Sequence, residues 1–198
     1  MNPYRPFSLT LNVGFVLVLA AWACPTAAQP PFSQVLDQEQ PVFDATASFY
    51  AIGGGSSQVL AQVVVAGVDG VLTEIELPVG CDSGRLVVEI RELSGVEPAA
   101  RALRRRPVSA RMLPPTNPPV FRSFRFGRSL RFSAGDAFAI VLSNPSGSCG
   151  IPPGPIGDSY LPGQAFFEAA PNLPGWVPFS DTEERLDLPF RTLMLIRP

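Results

Sequence analysis

Between Arg85 and Leu93 the chain alternates well, with Leu86, Val88 and Ile90 falling on one side and Val87, Glu89 and Arg91 on the other. A period of two sends successive side chains to opposite faces of a β-strand, so this segment predicts a strand with one face in a core and the other mostly wet. The same kind of short apolar run, set apart by Gly, Pro, Asn and Asp, recurs along the chain after residue 45. Gln58–Ala66, Val71–Leu77, Phe121–Phe126, Asp136–Ser143, Gln164–Ala169 and Leu186–Ile196 all read as strands. Within Val71–Leu77 the expected core contacts are Leu72, Ile75 and Leu77, and Gly67-Val68-Asp69-Gly70 before it signals a hairpin. Two proline-rich stretches, 114–119 and 151–155, are expected as loops, because proline donates nothing to a sheet ladder. About ten short strands and almost no helix predict an all-β chain, a two-sheet β-sandwich.

Residues 1–28 are different in kind. A short polar start carrying Arg5 leads into an apolar stretch, Val13–Ala23, and then to Pro25-Thr26-Ala27-Ala28, the layout of a secretory signal peptide with cleavage after Ala28. The apolar stretch is well short of the roughly 20 residues a membrane-spanning helix needs, so no transmembrane segment is expected in the mature form. A lipoprotein anchored at Cys24 is the alternative, since a small residue precedes that cysteine, although Ala21 and Trp22 fit such a signal poorly. Residues 29–44 are polar, contain Pro30, Pro31 and Pro41, and are expected as a loosely held, flexible leader before a single domain spanning 45–198. The expected location is therefore secreted, periplasmic or at the cell surface.

Cysteine usage agrees with export. With Cys24 removed, Cys81 and Cys149 remain, an even pair suited to a disulfide in an oxidising compartment; two separate buried thiols are the alternative.

From about Gln58 to Met194, several blocks in order resemble secreted bacterial β-sandwich modules of jelly-roll type, found in extracellular and surface-anchored proteins. They are Gly70-Val71-Leu72-Thr73-Glu74-Ile75, Leu86–Arg91 with Gly95-Val96-Glu97-Pro98, Ala134–Leu142, Pro162–Phe166, Trp176 and the closing Asp187-Leu188-Pro189-Phe190-Arg191-Thr192. The resemblance implies a jelly-roll topology and no particular activity. Two departures stand out: Pro189 replaces a small strand residue, suggesting an edge strand or bulge, and an Arg-rich stretch after Pro98 replaces a plain polar turn.

The chemistry open to the chain is narrow, because it has no His and no Lys. That excludes a serine or cysteine triad with a histidine base, a Schiff-base lysine and a histidine-based zinc site. No catalytic residue, metal ligand or cofactor is expected. Paired carboxylates for glycoside hydrolysis remain as a minor alternative, drawn from Asp158, Glu168, Asp181, Glu183, Glu184 and Asp187, though no spacing marks a pair. The acid-rich loop Asp181–Asp187 is also the place to test for calcium. Tyr160, Phe166, Phe167 and Trp176 could offer ring faces to a sugar, with Asp158 or Gln164 supplying hydrogen bonds, so Tyr160, Trp176, Asp158 and Gln164 form one candidate ligand set. The other is the arginine cluster Arg101, Arg104, Arg105, Arg106 and Arg111, since guanidinium pairs well with carboxylate, sulfate and phosphate.

Once Arg5 leaves with the signal, fourteen arginines face seventeen acids, so no global field would hold a nucleic acid. The expected role is a non-catalytic module that binds a polysaccharide or another envelope protein. A structural or assembly component of the envelope with no small ligand is the alternative.

Overall fold

The computed structural model describes residues 32–169 and 173–197. The signal segment 1–28, its cleavage point and Cys24 lie outside the described residues. In chain order the strands are β1 (Ser33–Gln40), β2 (Tyr50–Gly53), β3 (Val59–Val65), β4 (Gly70–Leu77), β5 (Gly80–Cys81), β6 (Arg85–Ser94) and β7 (Glu97–Ser109). They continue with β8 (Arg122–Phe132), β9 (Ala137–Ser143), β10 (Ser148–Ile151), β11 (Ala165–Ala169), β12 (Leu173–Pro178) and β13 (Phe190–Ile196). Helix among the described residues is confined to three single 3-10 turns, Gly54–Ser56, Ala110–Met112 and Phe179–Asp181.

The strands form antiparallel sheets: a six-stranded sheet ordered β12-β11-β3-β9-β6-β7, a four-stranded sheet ordered β1-β13-β4-β8 and a short three-stranded one, β2-β10-β5. The core lies between the two large sheets. The six-stranded sheet supplies Leu60, Val64, Leu86, Val88, Ile90, Phe138, Ile140 and Leu142, and the four-stranded sheet supplies Leu72, Ile75, Leu77, Phe124, Phe190 and Met194. This is an all-β two-sheet sandwich. Alternation in β6 therefore points Leu86, Val88 and Ile90 inward as expected. Leu72 and Ile75 are three residues apart yet both buried, because β4 carries one extra residue, Thr73, against β13, where Leu72 and Glu74 face the consecutive Met194 and Leu193.

Cys81 and Cys149 sit directly opposite each other where β5 pairs β10, and they are joined by a disulfide. No described helix is long and apolar enough to cross a membrane.

Four expectations are corrected. Residues 33–40, within the expected loose leader, form β1, which pairs along its length with β13; Thr192 Oγ1 accepts the Gln38 amide at 3.0 Å, so a mostly polar strand is held by ladder bonds and a side-chain acceptor, with Val35 alone packing on the core. Gly67–Gly70 is no hairpin. It carries the chain from β3 in one sheet to β4 in the other, and Asp37 Oδ1 of β1 accepts the Gly67 and Val68 amides at 2.9 and 3.0 Å.

Pro189 makes neither an edge strand nor a bulge. It ends the loop just before β13, an interior strand, so its missing N–H falls outside the ladder. The outward face of β6 is not mostly wet either: Val87 and Glu89 are buried, and a second apolar layer of Ala61, Val63, Ala139, Val141 and Phe166 covers the outer side of that sheet, with Leu93 and Trp176 against it.

Candidate functional site

The aromatic set does not assemble. Tyr160 is buried in the core with its ring edge-on to Phe190, and its hydroxyl meets the Val65 backbone and Gln38 Oε1. Burial pushes its phenol above the usual range, and no face of its ring is left for a sugar. Phe166 is fully buried in the outer layer, and Trp176 of β12 packs half-buried on that layer. Asp158 and Gln164 do line one cleft of about 370 Å³, whose other walls are largely apolar, among them Val63, Val96, Leu161 and Leu186.

The acid-rich segment is split by the fold. Asp187 is fully buried, where Gln62 Nε2 and the Ser159 and Tyr160 amides donate to it. Burial raises it above the usual carboxylate range while those donors pull the other way. It holds the 157–164 loop against β3 and reaches no solvent. Glu183, by contrast, is exposed and accepts the Tyr50 hydroxyl at 3.1 Å.

The arginines do converge, and in larger number than the cluster read from sequence. From Pro98 to Phe132 there are nine arginines and no acid; elsewhere after residue 28 there are five arginines and all seventeen acids. That acid-free run consists of β7 after Glu97, the Ala110–Met112 turn, the loop and β8. Since β7 is the edge of the six-stranded sheet and β8 the edge of the four-stranded one, the topology stacks both on one side of the sandwich. They touch there: Arg104 Nε donates to Ser129 Oγ at 2.7 Å across the gap.

Strand alternation divides the triple Arg104-Arg105-Arg106. Arg104 and Arg106 lie opposite Ile90 and Val88, so they project on the core side and roof the open edge between the sheets. Arg105 lies opposite Glu89 on the outward face, with Nε 3.1 Å from its carboxylate, and Glu89 also holds Arg91. On β8, Arg125 pairs with Glu74 at 3.2 Å. Among the described residues, Arg101, Arg104, Arg106, Arg111, Arg122, Arg128 and Arg131 have no carboxylate within ion-pair distance, and all seven are exposed or partly so.

Arg122, Arg128 and Arg131 were not in the sequence-derived cluster. The signal that finds them is the absence of Asp and Glu through the whole run, rather than the density of Arg in any one window. The two prolines in β7, Pro98 and Pro107, and the charge along both edges also keep these exposed ladders from pairing with another sheet.

No protein-family model and no curated protein sequence matches the chain.

Proposed function

We propose that this chain is an exported, non-catalytic sandwich module that binds an anionic glycan of the extracellular or envelope surface through the arginine-lined edge formed by β7 and β8. The observation that carries the reading is the set of seven guanidinium groups, without acid partners among the described residues, on the neighbouring edge strands β7 and β8 and the segment joining them, in a chain whose total charge is slightly negative. A surface evolved only for solubility disperses its charges with both signs mixed; one that meets a polyanion concentrates a single sign. Export is supported by the apolar segment Val13–Ala23 and by the closed disulfide, which suits an oxidising compartment. The lack of His and Lys supports a role in binding rather than catalysis.

The test is retention of the mature chain on beads carrying a carboxylated or sulfated polysaccharide, with a neutral polysaccharide as control. Retention falls as salt rises from about 0.1 to 1 M, over which the screening length shrinks from about 10 to 3 Å. Replacing Arg104, Arg106 and Arg128 with Ser removes three exposed pairs worth up to about 1 kcal/mol each, which weakens binding by one to two orders of magnitude. Retention unchanged by the triple substitution, or equal on the neutral beads, removes the proposal and leaves a structural role in the envelope as the better reading.

A further inference from the structure

The outward face of the β6–β7 pair carries a discrete cleft that the arginine edge does not by itself explain. Three cross-strand pairs lie there in register, Arg85 opposite Ser109, Val87 opposite Pro107 and Glu89 opposite Arg105. Because Leu86, Val88 and Ile90 face the core, Arg85, Val87 and Glu89 face the other way. The turn between β9 and β10 rises beside them, so that Pro145 and Ser146 wall a cleft of about 540 Å³ with Arg85, Arg105, Pro107 and Ser109. That volume lies in the range of a small-ligand site.

Its lining sorts by chemistry. Pro107 gives an exposed apolar floor over the buried Val87, and Pro145 an apolar side. Two guanidinium groups stand near the two ends of the three-pair ladder, roughly four residues of strand apart, about 13 Å at the backbone. Arg85 has no ion pair among the described residues, whereas Arg105, also lining the cleft, is held through Nε 3.1 Å from Glu89 Oε1, which engages neither of its terminal nitrogens. The hydroxyls of Ser109 and Ser146 have no hydrogen-bond partner among the described residues; Ser146 uses only its backbone amide, which Asn144 Oδ1 accepts at 3.2 Å. The Asn144 side chain also accepts the Arg85 amide at 3.1 Å, so one buried residue fixes both the turn and the start of β6.

An apolar floor with free hydroxyls and a cation at each end suits a ring that has an apolar face, several hydroxyls and an anionic substituent. We infer that this cleft is a subsite for a single anionic pyranose, a sugar ring carrying a carboxylate, sulfate or phosphate. It rests on the glycan reading above and deepens it, placing one unit of the polymer on β6–β7 while the arginines of β8 meet the flanking units. Carboxylate and sulfate share the chemistry recognised here, and the choice of probe separates them.

The experiment uses the mature chain and small probes: glucuronate, glucose 6-sulfate, glucose 6-phosphate and neutral glucose, each titrated while backbone amide shifts are followed by NMR. Glucuronate or one of the sulfated or phosphorylated sugars shifts the amides of Gly84, Arg85, Ser109 and Ser146, glucose does not, and Arg85→Ser weakens the response at least tenfold with the melting temperature unchanged. Arg128→Ser, on the other sheet, leaves monosaccharide binding intact while lowering retention on the polyanionic beads. Shifts elsewhere, equal binding by Arg85→Ser or no binding of any anionic sugar overturns the subsite. If the beads still retain the chain in that case, the arginine edge stands without it; if they do not, both readings fall.

Discussion

Asp187 offers the sharpest test of how the fold holds the loop system beside β3. Its carboxylate is buried and surrounded by donors: Gln62 Nε2 at 3.1 Å on one oxygen, and the Ser159 amide, Tyr160 amide and Ser159 hydroxyl at 2.9, 2.9 and 3.3 Å on the other. Gln62 cannot turn its amide over to relieve a change, because its Oε1 accepts the Leu188 amide at 2.8 Å and its Nε2 also donates to the Val63 carbonyl at 3.1 Å. In Asp187→Asn the new NH₂ must therefore face either Gln62 Nε2 or the Ser159 and Tyr160 amides, one donor against another. One buried polar group left without a partner costs about 1–3 kcal/mol, so that is the expected loss for Asn. Asp187→Ala orphans at least two backbone amides and is expected to lose about 2–6 kcal/mol.

The pH dependence has a definite sign. Burial raises the folded-state value of Asp187 above its ordinary 3.8, so the folded chain binds a proton more readily than the unfolded one. The contribution of this group is fully present below 3.8 and is lost as pH rises through the folded-state value. Urea unfolding at about pH 3.5 and about pH 7 should then show wild type ahead of Asp187→Asn at both, with the gap narrower at the higher pH. An Asn variant within about 0.5 kcal/mol of wild type at the higher pH, where the carboxylate form accepts from those donors, would refute the donor argument. A gap that widens with pH would show that the donors outweigh burial.

Two further outcomes follow from the backbone. Replacing both Cys81 and Cys149 with Ala opens a loop of 68 residues, for which chain entropy gives a loss of about 4 kcal/mol, measured as a lower urea midpoint; a loss below about 1 kcal/mol would mean that the unfolded chain is already compact. Gly53 has φ of 77°, and a Cβ there would stand 2.2 Å from the Asn144 carbonyl oxygen, so Gly53→Ala should lose at least the 1–3 kcal/mol (about) of a strained backbone, seen as a lower melting temperature.

Local periodicity made the strands legible, and partner choice was not legible from it. Leu86, Val88 and Ile90 declare their common face within six residues, because alternation is a property of one strand alone. Nothing in Gly67–Gly70 says that the strands on either side belong to different sheets; that is decided by Asp37, thirty residues earlier, and by neighbours on both sides of β3 that leave β4 no place beside it. The polar β1 was hidden for a similar reason, since much of its hold is on the backbone and Thr192 of β13. Tyr160 looked like a loop aromatic, and only the fold brings Val65 and Gln38 to its hydroxyl, which lets the ring be buried. Arg104, Arg105 and Arg106 were visible as a cluster. Their division between two faces follows from their register against β6, which lies in the pairing and not in the composition.

The antiparallel partnership of β1 with β13 brings Ser33 beside Ile196, so the described chain is entered and left at the same corner of the four-stranded sheet. That corner belongs to one margin of the sheet, and β8 with its arginines is the other, three strand spacings or about 14 Å away. A tether attached before Ser33 or after Ile196 would hold the molecule by its acidic flank strand, with Arg131 lining one cleft beside Phe32 and Arg197, and leave Arg122 at the far end of β8 clear of the attachment, like a hand gripped at the wrist with the fingers left open.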